Sequence, residues 1–248
     1  MTVRMVVAIS ATKGWYLHQF DINNAFLHGY LDETIYITPP EGYQKAHQEQ
    51  IYDHYLFILD RPDCFMVLVV YVDDILLASS SEEKIRRVKD FLHDKFIIKD
   101  LGVAKYFLGI KIARAFTGMY ITQRKYITDN ITNLSTAAAT LFVSDWNSND
   151  ENSGLYHDPS AYRRLVGRLI YLNFTRTDLT YSVNILSQYM QASTQNQWNG
   201  VVHLVKYLKG SLNQGLFYPA HNNLILKAFC DVDWAKCTIT RRSITRLC

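Results

Sequence analysis

The stretch FMVLVVYVDDILLA, residues 65–78, decides the fold. Its two apolar runs, Phe65 to Tyr71 and Ile75 to Ala78, are separated by a polar break of only Asp73-Asp74. Val67, Val69, Val70 and Tyr71 favour extended backbone. A run that is apolar at every position, rather than at alternate ones, belongs to a strand covered on both faces. Two such runs joined this closely predict a tight β-hairpin with the acids at its tip. A membrane span is excluded, because two aspartates interrupt the run and it falls short of the ~18 apolar residues required.

Upstream of the hairpin, residues 16–21 read as a strand that delivers Asp21 to its end. Residues 23–28 read as a short helical turn stopped by Gly29, 34–38 as a strand ended by Pro39-Pro40, and 44–50 as a polar loop. Downstream, Ser80 and Glu83 form an S-x-x-E capping box. Ile85, Val88, Leu92 and Phe96 then recur at helical spacing along one face. Residues 106–113 and 119–122 predict a second hairpin, turning at Thr117-Gly118, and 124–134 a helix. Residues 135–158 are rich in Ser, Thr, Asn and Ala without periodicity, the signature of a linker. Asp158-Pro159 opens the next helix, with the acid as N-cap and proline in the first turn. Tyr162, Leu165, Val166, Leu169, Ile170 and Asn173 trace its face. Helices over 178–190 and 196–209 follow, the second ended by Gly210. Residues 216–218 and 224–230 are strand-like, the latter leading into Asp231-Val232-Asp233.

The bulk numbers agree with a globular protein. The chain has 248 residues, 48% hydrophobic and 20% charged, enough to bury a core and too apolar for a disordered chain. A net charge of +3 is only weak support for a polyanionic partner, for which distribution matters more than the sum. Cys64, Cys230, Cys237 and Cys248 form no C-x-x-C pair, which argues against zinc. Arg4 interrupts the first apolar residues, so no signal peptide is expected. The expected setting is intracellular and non-secreted, with no transmembrane segment.

The chemistry rests on carboxylates at strand ends. Phosphoryl transfer by two metal ions needs a few carboxylates on a stiff support, because Mg²⁺ takes such ligands together with substrate phosphate oxygens. Asp21, Asp73 and Asp74 make such a set. Alone, an Asp-Asp hairpin tip is more often a solvated turn, and Asp21 reads equally as a helix N-cap. The apolar arms tilt the balance, since two like charges at the edge of a core cost energy unless a cation offsets them.

An ordered series of motifs resembles the reverse transcriptase of copia-type retrotransposon polyproteins. LHQFDINNAFLHG (17–29), followed by Ile35-Tyr36 and PPEGY (39–43), is similar to the family's first catalytic motif, and Tyr71-Val72-Asp73-Asp74 to its second. KDLG (99–102), YFLGI (106–110) and QRKY (123–126) resemble the segments that follow. YRRLVG (162–167), residues 169–172, Thr175-Arg176, Asp178 and YLKG (207–210) resemble the connecting helices. DVDWA (231–235) and Arg241-Arg242-Ser243 resemble the start of an RNase H domain.

The resemblance implies an α+β fold. A palm-like antiparallel sheet with helices would be followed by a helical connecting region and the first strands of an incomplete RNase H-like domain. The implied division is a partial palm over 1–134, a linker over 135–158, a thumb- or connection-like region over 159–215, and an RNase H-like start over 216–248. It further implies RNA-directed DNA polymerisation on an RNA template and DNA primer, with deoxynucleoside triphosphates as substrates. Asp21, Asp73 and Asp74 would hold two Mg²⁺ ions, and Asp231 would be one RNase H ligand. Tyr71 would pack beside the primer end, Phe26 near the sugar of the incoming nucleotide, and 106–110 against the primer strand, unless 106–110 is an ordinary core hairpin. Arg163, Arg164, Arg168, Arg176, Lys206 and Lys209 would make a phosphate-binding stripe or a solvated helix face.

The chain departs from the family pattern in three places. No fingers region precedes Asp21. Only a short polar loop separates Tyr43 from Tyr55, where the family carries a motif like L-Y-G-L-K-Q. Few residues follow Asp231. An internally deleted, truncated copy is therefore expected, with impaired polymerisation, no RNase H activity, and one sheet face left uncovered. The alternative is a catalytically inactive remnant that at most binds nucleic acid.

Overall fold

The computed structural model describes residues 2–22, 55–131, 154–225, 230–233 and 244–247, the last two segments as backbone only. The elements expected at 23–28, 34–38 and 44–50, and Phe26 with them, lie outside the described residues.

Helix α1 (Thr2–Lys13) opens the described chain. Strands β1 (Tyr16–Ile22), β2 (Leu56–Arg61), β3 (Cys64–Tyr71), β4 (Asp74–Ser79) and β5 (Ile98–Val103) form one antiparallel sheet in the order β2-β3-β4-β1-β5. Helix α2 (Glu82–Lys95) joins β4 to β5. The hairpin over 65–78 is present, with Tyr71 opposite Asp74 and a two-residue connection of Val72 and Asp73.

Both faces of the central strands β3, β4 and β1 are covered, as the unbroken apolar runs predict. Leu17, Val67, Val69, Leu76 and Ala78 point to one face, where Val3, Val6, Val7 and Ala11 of α1 meet them. Phe20, Met66, Ile75 and Leu77 point to the other, against Ile85 and Leu92 of α2. The expectation of a bare face is therefore corrected for these central strands, because α1, together with residues of a second sheet, covers it. That helix carried its own signal, Val3, Val6, Val7 and Ser10 at helical spacing. Apolar residues on its remaining sides, such as Met5, blurred the stripe.

Strands β6 (Tyr106–Phe107), β7 (Ile110–Ala115), β8 (Gly118–Thr122) and β9 (Leu216–Pro219) make a second antiparallel sheet in that order. Its Phe107, Ile110, Ile112, Met119 and Ile121 share the cluster under α1. The predicted hairpin over 106–122 thus contains an extra turn at Leu108-Gly109. Strand β9, which sequence grouping puts with the segment from 216, pairs with β8.

Helices α3 (Arg124–Asn130), α4 (Pro159–Leu172), α5 (Thr180–Ser187) and α6 (Gln195–Gly210) build a separate apolar cluster. Asp158 caps α4, its Oδ1 accepting from the Ala161 amide at 2.9 Å. The face of α4 buries Tyr162, Leu165, Val166 and Leu169 as expected, whereas Ile170 is exposed. The helix expected over 178–190 is a 3-10 turn, Thr177–Leu179, running into α5. Thr194 and Gln197 form the capping box of α6. Of the expected linker, the described part includes Tyr156, which is buried and stacks on Trp198 at 4.4 Å.

The N-cap of α2 is Ser81, whose side chain accepts from the Lys84 amide at 3.4 Å. Ser80, the expected cap, instead accepts from the Phe65 amide at 3.2 Å. Phe96 is the C-cap and exposed, so it leaves the helix face assigned to it. Strands β10 (Cys230–Asp233) and β11 (Ile244–Leu247) form an antiparallel pair of their own. Among the described residues no helix is long and apolar enough to cross a membrane.

Candidate active site

Strand register builds the site. Along β1 and β4, Leu17 lies opposite Ala78, Gln19 opposite Leu76, and Asp21 opposite Asp74. Along β3 and β4, Val67 lies opposite Ala78, Val69 opposite Leu76, and Tyr71 opposite Asp74. Side chains alternate faces with period two, so Tyr71, Asp74 and Asp21 form one row on the face that α1 covers further in. The row ends on β5 with Lys99, opposite Asp21. The core packing of Leu76 and Ala78 thus fixes where the carboxylates stand.

Asp73 sits in the turn, and its carbonyl accepts from the Ile22 amide at 2.8 Å, tying the tip to the end of β1. Val72 has φ 57°, a region that a β-branched residue seldom enters. Such backbone costs of order 1–3 kcal/mol and persists only where the surroundings dictate it. Here the flanking Tyr71–Asp74 pair and the Ile22 bond do so.

Asp74 is half-buried, and Gln19 Nε2 donates to its Oδ1 at 3.3 Å. Burial pushes the Asp74 carboxyl above its ordinary range, and the charges of Asp73 and Asp21 push the same way, against the pull of the Gln19 donor. Burial and neighbouring like charges both favour the neutral form of a carboxyl. Three hard carboxylate donors suit Mg²⁺ chemically. Among the described residues, however, no group of three or more His, Cys, Asp or Glu side chains is arranged so as to hold a metal ion by itself.

The other candidate residues are dispersed. Phe26 is outside the described residues. Asp231 lies in β10, where its Cα pairs with that of Arg246. Arg163, Arg164 and Arg168 are exposed on α4, Arg164 facing Asp158 at 4.0 Å and Arg168 Nη1 donating to the Asn130 carbonyl at 2.8 Å. Lys206 and Lys209 are half-buried on α6.

Arg176 does not belong to a surface stripe, being fully buried. Its Nε and Nη2 bind the Asp178 carboxylate at 3.0 and 2.8 Å, and its Nη1 donates to the Ser211 carbonyl. A buried guanidinium with these partners is a structural anchor. Sequence reasoning missed Gln19 and Lys99 as site residues. Lys99 was within a quoted motif, but only strand pairing puts it beside Asp21.

A family model described as reverse transcriptase (RNA-dependent DNA polymerase) matches residues 1–54 and 49–143. The Retrovirus-related Pol polyprotein from transposon RE2 of Arabidopsis thaliana is 32% identical over 94% of this chain and 19% of its own length. The corresponding polyprotein from transposon RE1 of the same plant is also 32% identical, over the same shares. An uncharacterized mitochondrial protein of Arabidopsis thaliana is 38% identical over 74% of this chain and 78% of its own. No solved structure matches. The chain thus spans about a fifth of the length of the polyproteins it matches. It belongs to the reverse transcriptase family, as a reverse transcriptase-related domain of copia-type Pol polyproteins.

Proposed function

We propose that this chain carries the nucleotidyl-transfer centre of an RNA-directed DNA polymerase, with Asp21, Asp73 and Asp74 as oxygen ligands for Mg²⁺. One observation carries the reading: core-determined register stands Asp21 opposite Asp74, with Asp73 in the adjoining turn. The shell would be completed by phosphate oxygens of the incoming deoxynucleoside triphosphate, since the chain's own groups do not close one. Bound there, two Mg²⁺ ions would acidify the attacking 3′-hydroxyl and offset charge on the departing pyrophosphate. The protein's own work is positional. Gln19 orients the Asp74 carboxylate, the Ile22–Asp73 bond fixes the tip, and Tyr71 offers a ring face to a terminal base.

RNA template and DNA primer are the proposed partners, with Arg163, Arg164, Arg168, Lys206 and Lys209 available to phosphates. Phe26 keeps its proposed place near the incoming sugar, and Asp231 its place as one RNase H-type carboxylate. The proposed division is a partial palm, a linker, a helical connecting region and an RNase H-like segment. Because β9 pairs with β8, the last boundary is better drawn after Pro219.

Primer extension on an RNA template with Mg²⁺ tests the reading. Wild type should incorporate nucleotides, and Asp73→Asn should lower the rate on the order of 100-fold or more, at least the loss seen for groups that merely support metal ligands. Incorporation that Asp73→Asn leaves unchanged sinks the assignment.

A second reading, nucleic-acid binding without polymerisation, has its own observation. The family model meets the chain in two pieces, 1–54 and 49–143, that overlap over 49–54. The RE2 match also runs over 273 residues while covering only 94% of a 248-residue chain, so the relative has residues that this chain lacks. Such a gap near 44–54 would remove groups that hold nucleotide and template. Salt-sensitive binding of primer–template with no incorporation would favour this reading over the first.

A further inference from the structure

Strand β5 carries KDLG (99–102), a motif from which the carboxylate row takes only Lys99. The pairing of β5 with β1 breaks within that motif. Ile22 lies opposite Ile98, Asp21 opposite Lys99 and Phe20 opposite Asp100, but the next pairs are Gln19 with Gly102 and His18 with Val103. Leu101 is thus an extra residue, a β-bulge, and it is 43% exposed. Bulges re-aim the side chains beside them. Without this one, unbroken pairing would set Leu101 opposite Gln19, where directly opposed Cβ atoms stand ~5 Å apart.

The bulge gives that place to a glycine. Gly102 has φ 71°, which glycine adopts without steric cost. A Cβ there would meet nothing within 4 Å, so the position across from Gln19 is open. Gln19 is buried and shares the face of Leu17 and Asp21. Its Nε2 reaches diagonally across to β4, donating to Asp74 Oδ1 at 3.3 Å. One side chain closes the bulge. Asp100 Oδ1 accepts from the Gly102 amide at 2.8 Å, a short turn of the kind that aspartate favours. Its Oδ2 meets Lys89 Nζ of α2 at 2.5 Å. Asp100 therefore works from the α2 side of the sheet, behind the carboxylate row.

We propose that Asp100 is a positioning residue for the carboxylate row: by closing the bulge at Leu101 it sets glycine rather than leucine opposite Gln19, and so leaves the Gln19 amide free to hold Asp74. The place of Asp74 as a metal ligand rests on the polymerase reading, whereas the action of Asp100 on Gln19 does not. KDLG then serves the site from both faces of the sheet, with Lys99 in the row and Asp100 fixing the backbone behind it.

Two substitutions separate the bulge from the ion pair. Asp100→Asn keeps an oxygen for the Gly102 amide and gives up the charge that Lys89 meets. Asp100→Glu keeps the charge, but its longer side chain does not fit the short turn. The test uses the full chain, isotope-labelled for NMR, with the side-chain amide signals of Gln19 assigned by their loss in Gln19→Met. Binding of Mn²⁺ alone, which favours the same oxygen ligands as Mg²⁺, is followed by electron paramagnetic resonance, and unfolding curves report stability. Asp100→Glu should shift the Gln19 signals and weaken Mn²⁺ binding about fivefold, the scale of one neutral hydrogen bond. Asp100→Asn should keep both at the wild-type level. Unmoved Gln19 signals or unchanged Mn²⁺ affinity in Asp100→Glu overturn the inference, whatever happens to stability. Equal losses in the two variants also overturn it, because the ion pair with Lys89 would then be in control. Mn²⁺ binding that is absent in wild type, or that Asp74→Asn leaves unchanged, overturns the polymerase reading, and the Gln19 signals still decide the role of Asp100.

Discussion

Asp74 shows how one residue ties site to stability. Its carboxyl is raised by burial first and then by Asp73 and Asp21. The folded state therefore holds this proton to higher pH than the unfolded chain. Between the ordinary carboxylate range and the raised value, the unfolded state binds fewer protons, so stability falls as pH rises. Asp74→Asn should remove that loss while keeping an oxygen for Gln19. Urea midpoints should coincide at pH values below the ordinary carboxylate range. The variant should then gain as pH rises, by less than about 1 kcal/mol, given solvent screening of a partly exposed group. Mg²⁺ should narrow the difference, because a cation favours the wild-type charge. A gap that is constant with pH would deny that the fold raises the Asp74 carboxyl. The pair Asp73-Asp74 was legible in the sequence as a hairpin tip. The strain at Val72 was not, because valine does not announce a positive φ.

Among the elements, the junction of the 3-10 turn with α6 rests on Arg176. Burial alone would raise the Asp178 carboxyl, but the Arg176 bonds and charge, with the Tyr207 hydroxyl, hold it below its ordinary range. A lowered acid contributes stability that is present above the ordinary range and lost as pH falls through the lowered value. Arg176→Met fills the space and strands Asp178, so it should cost about 3 kcal/mol near neutral pH. The cost should shrink on acidification, read from urea midpoints at several pH values. A cost independent of pH would show that Arg176 acts by packing alone. Helix α4 was legible because cap, proline and apolar spacing agree locally. The hairpin over 65–78 was legible because its two runs are unbroken. The α2 cap moved by one residue because Phe65, 15 positions away in sequence, claims the Ser80 hydroxyl. The Leu108-Gly109 turn escaped because its support comes from Tyr171 on another element, whose hydroxyl donates to the Leu108 carbonyl. The carboxylates could be nominated from sequence, whereas their row with Lys99 is a product of pairing between strands distant in the chain.

Across the whole molecule, three apolar clusters divide the labour: one under α1 and shared by both sheets, one between the first sheet and α2, and one among the helices. Among the described residues, coverage fails at the outer edge of the first sheet. Strand β2 pairs with β3 on one side, and among the described residues no strand pairs with its other side. Phe57 and Ile58 are 56% and 59% exposed there, with Leu59 exposed beside them. A free edge lined by apolar side chains is a template for another chain, and natural edges are commonly blunted by charge. In β2 the charges come only at the end, Asp60 and Arg61. The expected outcome is that the apolar stretch from Phe57 to Leu59, unpaired among the described residues, pairs with a second copy. Ile58→Lys puts a charge in its middle at a position already exposed to solvent, so its effect on stability should stay within about 0.5 kcal/mol. Light scattering over a concentration series should show wild type associating as concentration rises and Ile58→Lys remaining smaller at equal concentration. If both associate alike, the edge is not the adhesive surface, and the exposed apolar residues of β2 are tolerated singly, as scattered surface hydrophobes are.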